Sequence, residues 1–309
     1  MKKRILIIGN GKVAIDCAQI AQASQEIIGF VTEPASNLIG KSLIKVPESM
    51  HPLETKNINE IANKIKELKP DIIFSINNFQ LLKEEIINIP PLGVINFHNG
   101  PLPKYAGLNV CSWAIVNGET EHGITWHYVD CGVDSGNIIT QRRFPIGEHE
   151  TALQLIMKCI KYGIDTFKEV LPIVTDQRLT GTPQNKAERT IYKKKDTPNN
   201  GVVSYRWESG KIYNFIRGLN FDPLENMLIR PSSTINNRNF YIDQIRRAEK
   251  IPAENNWGKV IHADGEQIII QVNDAQISLE KLRNEKQEWI SLSQFIEQYK
   301  IKIGIIVNE

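Results

Sequence analysis

An asparagine and a histidine separated by one residue, Asn96 and His98, stand at the end of the apolar run Gly93 to Phe97. In an extended strand, residues i and i+2 project to the same side, so the amide and the imidazole converge on one point. The amide supplies a hydrogen-bond donor there, and the imidazole a donor or a base near neutral pH. Downstream, the glycine-bounded run Val129-Asp130-Cys131-Gly132-Val133-Asp134-Ser135-Gly136 offers a carboxylate that a loop can bring to the imidazole. Amide, imidazole and carboxylate together can stabilise a growing oxyanion and move a proton. Taken singly, each has a structural alternative: a strand-end histidine often serves packing, Asn96 can cap a turn, and Asp134 can cap a helix or turn. His122 and His127 flank a further strand, with His127 on the same face as Thr125, and read as structural or substrate-lining.

A second pattern lies at the start of the chain. Gly9-Asn10-Gly11-Lys12-Val13-Ala14 follows an apolar run, opens a helix, and has Glu33 further on at the end of the next strand. That fits a dinucleotide fingerprint, in which glycines admit a pyrophosphate to a helix N-terminus. The alternative is a tight first turn of the kind any doubly wound sheet needs. As a function it would make the chain an NAD-dependent oxidoreductase built on the Gly9-x-Gly11 turn.

The elements that must carry these residues alternate as a parallel α/β unit does. Strands are expected at Ile5 to Ile8, Glu26 to Thr32, Asp71 to Ile76 and Gly93 to Phe97, and helices at Val13 to Ser24, Asn57 to Leu68 and Leu81 to Asn88. The strands are unbroken in apolar character, as strands buried on both faces are. Phe97 to Gly107 is rich in Gly and Pro and reads as a loop beyond a strand end, where open α/β sheets bind ligands. Ser112 to Asn117 continues as helix, Gly123 to Asp130 as strand, and Glu150 to Val174 as a long helix. Residues 181–201 turn polar and read as a linker between a 1–180 catalytic domain and a 202–309 β-rich domain. In the latter, Gly258 to Ala263, Gln267 to Val272 and Ala275 to Leu279 read as short strands separated by Asp-Gly and Asn-Asp turns.

Composition sets limits on partners. The chain has 309 residues, with 37 Lys plus Arg against 35 Asp plus Glu, a formal charge of +2. No electrostatic footprint for DNA or an anionic membrane follows from that balance. Cys17, Cys111, Cys131 and Cys159 are widely spaced, without a Cys-x-x-Cys pair or zinc-type spacing, and read as reduced thiols of a cytoplasmic protein. The basic start Met1-Lys2-Lys3-Arg4 precedes only four apolar residues, and no apolar stretch approaches the roughly 18 residues of a membrane span.

Taken in order, Asn96-x-His98, Pro101-Leu102-Pro103-Lys104-Tyr105-x-Gly107, Trp113-Ala114-Ile115-x-Asn117-Gly118-Glu119, Gly123-Ile124-Thr125-x-His127 and Gly132-x-Asp134-x-Gly136-x-Ile138 resemble the 10-formyltetrahydrofolate-dependent formyltransferases. The resemblance is strong over roughly residues 1–180. More weakly, Ile216-Arg217-Gly218-Leu219-Asn220 and Gly258 to Phe295 resemble the small β-barrel C-terminal domain of the methionyl-tRNA and sugar formyltransferases. It implies a Rossmann-like α/β domain followed by a small OB-like β domain. It also implies a catalytic trio of Asn96, His98 and Asp134, and 10-formyltetrahydrofolate as cosubstrate. The folate pocket is implied at Asn77, Asn78, Phe79, Gln80, Leu81 and Leu82 and at Val129, Asp130, Cys131, Gly132 and Val133. The same resemblance counts against a dinucleotide and makes Gly9 and Gly11 turn residues. In this chemistry an uncharged amine attacks the formyl carbon, Asn96 and a protonated His98 supply donors to the oxyanion, and Asp134 orients His98 and helps remove the proton. It needs neither metal nor covalent enzyme intermediate.

The acceptor is read from departures. The loop around Lys104, Tyr105, Gly107 and Asn109 is expected to face the acceptor, and its continuation Ala106-Gly107-Leu108-Asn109-Val110 lacks the Arg-Gly of the methionyl-tRNA enzymes. The segment Glu33 to Pro47 is short, holding only Lys41 and Lys45, where those enzymes carry a long basic insertion. Beyond Gly181, basic and acidic residues nearly balance, which argues against a grip on a tRNA backbone. The wording of Thr125-Trp126-His127 and of the Tyr105 loop is most similar to sugar-nucleotide formyltransferases and to formylation domains of peptide synthetases. The expected acceptor is therefore the amino group of a nucleotide-linked amino-deoxysugar, with methionyl-tRNA or a carrier-bound aminoacyl group as alternatives, and a homodimer as a reasonable assembly.

Overall fold

The computed structural model describes residues 1–34, 45–176, 180–226, 228–250 and 256–308, the side chains of 248–250 excepted. Lys41, part of the short segment noted above, lies outside the described residues. The chain divides into two compact units, residues 1–110, 121–145 and 156–193 in one, and 111–120, 146–155 and 194–309 in the other.

The order along the chain is β1 (Arg4–Gly9), α1 (Gly11–Gln22), β2 (Glu26–Thr32), β3 (Pro52–Glu54), α2 (Ala62–Glu67), β4 (Ile72–Ile76), α3 (Glu84–Ile87), β5 (Val94–His98), β6 (Ala106–Gly107), α4 (Val110–Val116), β7 (Glu121–Tyr128), β8 (Ile138–Pro145), α5 (Ala152–Asp176) and β9 (Ile191–Tyr192). The sheet of the first unit runs β3-β2-β1-β4-β5-β7-β8. Neighbours from β3 through β5 are parallel, whereas β7 and β8 are added antiparallel. The expected mostly parallel sheet is thus present. The chain steps outward from β1 to β2 and β3, then returns to β4 on the other side, the reversal that opens a crevice beyond strand C-termini.

The local reasons are legible. The runs Ile5 to Ile8 and Ile72 to Ile76 are buried throughout, as strands covered on both faces must be. Asn57 caps the following helical stretch, its side chain accepting from Asn59 N–H, although the first turn is a tight 3₁₀ segment and α2 proper begins at Ala62. The expected helix at Leu81 to Asn88 contracts to one turn at α3, and the strand expected at Gly123 to Asp130 begins earlier, so that His122 and His127 both lie within β7. Strand β8, Ile138–Pro145, escaped the sequence reading because it is an edge strand whose Arg142 and Arg143 are exposed. Among the described residues, no helix is long and apolar enough to cross a membrane.

Gly9 is required by proximity. A Cβ there would stand 2.0 Å from the Ile76 carbonyl oxygen of β4. The next residue closes the turn against its surroundings: Asn10 Oδ1 accepts from Thr32 Oγ1 and Glu33 N–H, while Asn10 Nδ2 donates to the Asn77 carbonyl. Gly9 therefore serves close packing of the first turn on β4.

The second unit holds α6 (Ser209–Gly218), β10 (Ser232–Ile235), β11 (Arg238–Lys250), β12 (Val260–Ala263), β13 (Ile268–Gln271), β14 (Ala275–Arg283), β15 (Trp289–Ile290) and α7 (Leu292–Tyr299). Its antiparallel sheet runs β10-β11-β14-β13-β12, with β15 on β14. Ile212, Phe215 and Ile216 of α6 share its core with Phe240, Ile277 and Phe295. The three expected strands are β12, β13 and a longer β14. The long β11 was not legible because its run of charges hides the alternation. It carries Asp243, buried between Arg230 Nη1 at 2.7 Å and Arg283 Nε at 2.5 Å.

Candidate active site

Strand β5 presents Asn96 and His98 on one side, and the intervening Phe97 ring on the other lies against Trp126, their centroids 5.0 Å apart. Trp126 is fully buried and donates from Nε1 to Thr166 Oγ1 at 2.9 Å, anchoring β7 to α5. Register then aligns a polar row across three strands: Ser75 of β4 pairs with Asn96, and Asn96 pairs with His127 of β7. The Ser75 hydroxyl donates to Asn96 Oδ1 at 2.8 Å, which turns the amide nitrogen toward His127 Nε2 at 3.2 Å. His127 Nδ1 donates to the Tyr128 carbonyl at 2.8 Å.

His98 is buried, and its Nε2–H donates to the Tyr105 carbonyl at 2.6 Å. That bond selects the tautomer and leaves Nδ1 facing Asp134 Oδ2 at 3.5 Å. Asp134, in the left-handed region at φ +48°, projects its other oxygen to within 3.5 Å of His127 Nε2. Gly107 N–H donates to Asp134 Oδ2 at 2.8 Å. The expected trio is thereby brought together in one place, with His127 as a fourth member.

Burial dominates the protonation of His98 and lowers its proton affinity; the Asp134 carboxylate and Tyr105 carbonyl oppose that effect, and His127 and His122 add to it. That lowering favours the neutral imidazole near pH 7, where the resemblance implies an imidazolium as oxyanion donor. For Asp134, burial alone would raise the pKa, but the His98 and His127 imidazoles and the Gly107 N–H outweigh it and hold the carboxyl well below the usual range.

The other expected contacts distribute as follows. Asn77 is tied to the first turn, its Nδ2 donating to the Asn10 carbonyl at 3.0 Å. Asn78 and Gln80 form a tight turn, Gln80 N–H donating to Asn78 Oδ1, and Gln80 Oε1 accepts from Ile58 N–H. Phe79 and Leu81 stand 60% and 68% exposed beside the buried Leu82. Val129 packs on the same apolar cluster as Leu82, and the Cys131 thiol donates to Glu84 Oε1 at 3.1 Å, so the two expected folate segments are neighbours. Asp130 Oδ1 organises its own loop, accepting from Gly132 N–H and the Ser135 hydroxyl; the Val133 carbonyl accepts from Arg189 Nη2.

On the acceptor side, Lys104 is exposed and Asn109 half-buried. The Tyr105 ring is instead buried, stacked on Tyr192 at 5.7 Å, so that Tyr105 meets the site through its carbonyl and Gly107 through its amide. Ser75, Gln184, Arg189 and Thr190 were not singled out in the sequence. Ser75 did carry a signal, as the polar residue in an apolar buried strand; the other three lie in a polar stretch that carries none.

Two family models match this chain, formyl transferase over residues 5–171 and formyl transferase, C-terminal domain, over residues 195–300. Methionyl-tRNA formyltransferase of Clostridioides difficile is 27% identical over 320 residues, covering 99% of this chain and 100% of that protein. The N-formyltransferase of Helicobacter canadensis, solved with folinic acid and dTDP-3-aminofucose, superposes with a TM-score of 0.71 at 25% identity, covering 91% of this chain and 99% of the other. HypX of Aquifex aeolicus, solved with tetrahydrofolic acid, shares the fold alone, with a TM-score of 0.62 at 16% identity over 98% of this chain and 48% of its own. With more than half its length matched by the first model and the Asn96, His98 and Asp134 cluster at the end of its sheet, this chain belongs to the formyl transferase family.

Proposed function

We propose that the protein transfers a formyl group from 10-formyltetrahydrofolate to a primary amine, and that the amine is the amino group of a nucleotide-linked amino-deoxysugar. The observation that carries the reaction is that Asn96 and Asp134 both face His127 while Asp134 also faces the buried His98. The folate reading is supported by Phe79 and Leu81, apolar and uncovered beside Leu82 and Val129, which suit the face of a flat heterocycle. The Helicobacter canadensis relative, solved with folinic acid and an amino-sugar nucleotide, supports both donor and acceptor class.

Bound there, the cosubstrate supplies an activated formyl group and departs as tetrahydrofolate. Asn96, its carbonyl oxygen occupied by Ser75 and one amide hydrogen by His127, offers its other amide hydrogen to the oxygen on which negative charge grows as the amine adds. His98, locked by Tyr105 with a lone pair at Nδ1, accepts the proton that the amine nitrogen loses. Asp134, ionised throughout, balances the resulting imidazolium; His127 accepts from the Asn96 amide and holds it in place. Four free cysteines suit a cytoplasmic setting.

A specific observation favours a second acceptor: the end-to-end match to a methionyl-tRNA formyltransferase. One assay separates the readings. Purified protein is mixed with 10-formyltetrahydrofolate and, separately, with a panel of nucleoside-diphosphate amino sugars, aminoacyl carriers and charged initiator tRNA, and tetrahydrofolate release is followed by absorbance. Turnover with an amino sugar is expected. Turnover with the tRNA alone reassigns the acceptor; no turnover together with no saturable binding of folinic acid overturns the formyl-transfer reading.

A further inference from the structure

The stretch 181–201 reads in sequence as a linker, and the chemistry above makes no use of it. In the structure, residues 182–192 fold against both loops that hold His98. Thr182 pairs with Ile138 through two 2.8 Å backbone bonds. Gln184 Nε2 donates to the carbonyl oxygens of Asp134 and Gly136, both at 2.8 Å. Arg189 Nη1 donates to the Asp134 carbonyl at 3.2 Å, and Nη2 to that of Val133. The next residue turns to the other loop: the Thr190 hydroxyl accepts from Tyr105 N–H at 2.7 Å, and its carbonyl from Ala106 N–H at 2.9 Å. β9 then continues in parallel along β6.

Two residues held by this segment share an unfavourable backbone. Asp134 lies at φ +48° and Tyr105 at φ +58°, a region that L side chains disfavour. Such conformations persist only where the surroundings over-determine them. Each of the two also supplies one partner of the same imidazole, Tyr105 at Nε2 and Asp134 at Nδ1. Adjacent residues, Arg189 and Thr190, thus hold opposite ends of the hydrogen-bond axis through His98.

We propose that Gln184, Arg189 and Thr190 are positioning residues for formyl transfer, one folded segment setting both the Tyr105 carbonyl and the Asp134 carboxylate against the His98 imidazole. This rests on the formyl-transfer reading of the site. The titratable groups acting on His98 are Asp134, which favours its protonation, and His127 and His122, which oppose it; the Tyr105 carbonyl also favours it. Releasing either loop weakens a favourable influence, so the His98 titration midpoint should fall further.

The test uses the full chain with Gln184→Glu, which puts an acceptor before two carbonyls; Arg189→Met, which keeps the stem; and Thr190→Val, which removes the hydroxyl; Arg189→Lys and Thr190→Ser are the conservative controls. Thermal melting confirms folding, and two readouts follow: kcat and KM in the formyl-transfer assay, and the His98 ring by 15N NMR in protein without substrate, assigned by His98→Gln. For Arg189→Met and Thr190→Val, kcat should fall about 10-fold or more with acceptor KM within about 3-fold, and the His98 midpoint should drop by about half a pH unit. Thr190→Ser should restore both. Folded variants with kcat within about 2-fold of the parent overturn the proposal, as does a fall in kcat with the His98 signal unmoved. If the parent transfers no formyl group to any acceptor, the reading of the function has failed, and the NMR readout alone decides whether the segment positions His98.

Discussion

His127 Nε2 stands 3.5 Å from Asp134 Oδ1, the same distance that separates Asp134 Oδ2 from His98 Nδ1. The carboxylate is therefore shared between two imidazoles, one on β5 and one on the neighbouring β7. His127 also faces the Asn96 amide at 3.2 Å. Replacing it with Leu leaves Asn96 Nδ2 short of its acceptor and removes the ring that stands beside Asp134 Oδ1. kcat is expected to fall about 10- to 100-fold, with little change in KM, because the lost interaction matters most as charge develops. Steady-state kinetics checks this; a parent-like kcat would return His127 to a purely packing role.

Removal of the proton acceptor should cost more. His98→Gln is expected to lower kcat by about 10²- to 10⁴-fold while the melting temperature stays near that of the parent. Asp134→Asn should fall in the same range, since it strips the counter-charge from the imidazolium. Comparable turnover in both variants would contradict the assigned roles.

Gly100 lies under the catalytic ring. A Cβ there would come within 2.8 Å of His98 Nε2 and 2.7 Å of the Tyr105 carbonyl oxygen, the two ends of the bond that fixes the tautomer. Gly100→Ala should therefore break that bond and lower kcat at least about 10-fold with the protein still folded. Loss of the slowly exchanging Nε2 proton in the NMR spectrum is the accompanying sign.

Protonation of His98 ties stability to pH. Because burial lowers its proton affinity below the ordinary 6.5, the unfolded chain takes up the proton more readily. This group's contribution is complete above the ordinary histidine range and is lost as pH falls through it toward the lower folded value. Asp134, held below the ordinary 3.8, contributes above that pH and loses its contribution only in stronger acid. Urea midpoints measured from about pH 7.5 to about pH 5 should decline less steeply in His98→Asn than in the parent; identical slopes would show that the ring is not held neutral by burial.

In the second unit, Asp243 is the buried centre of a charge cluster, bonded to Arg230 and Arg283. Asp243→Ala leaves two largely buried guanidinium groups without their shared partner, at a cost of about 3–5 kcal/mol. Calorimetry should show the loss as a lowered transition; an unchanged one would mean that water replaces the carboxylate without penalty.

The α/β character, the strand at Gly93 to Phe97 and the pairing of Asn96 with His98 on one face all follow from patterns local in the chain: apolar runs, a two-residue period, and glycine and proline at the loop. The Asn57 cap and the first turn at Gly9 are local in the same sense. What joined the site was decided across strands. Ser75, Asn96 and His127 form a row only because β4, β5 and β7 adopt one register, with β7 antiparallel, and no residue of β7 states its direction. The neutral His98 is a consequence of burial, which a sequence window does not contain. Strand β11 hid behind its charges because Asp243 finds its arginines only in the folded sheet. The polar run at 181–201 shows no periodicity, since Gln184, Arg189 and Thr190 act through hydrogen bonds to backbone carbonyls and amides far away in the chain. Local chemistry was written in the order of residues; the distances that make it a site exist only once strand register and loop return bring remote segments within hydrogen-bond reach.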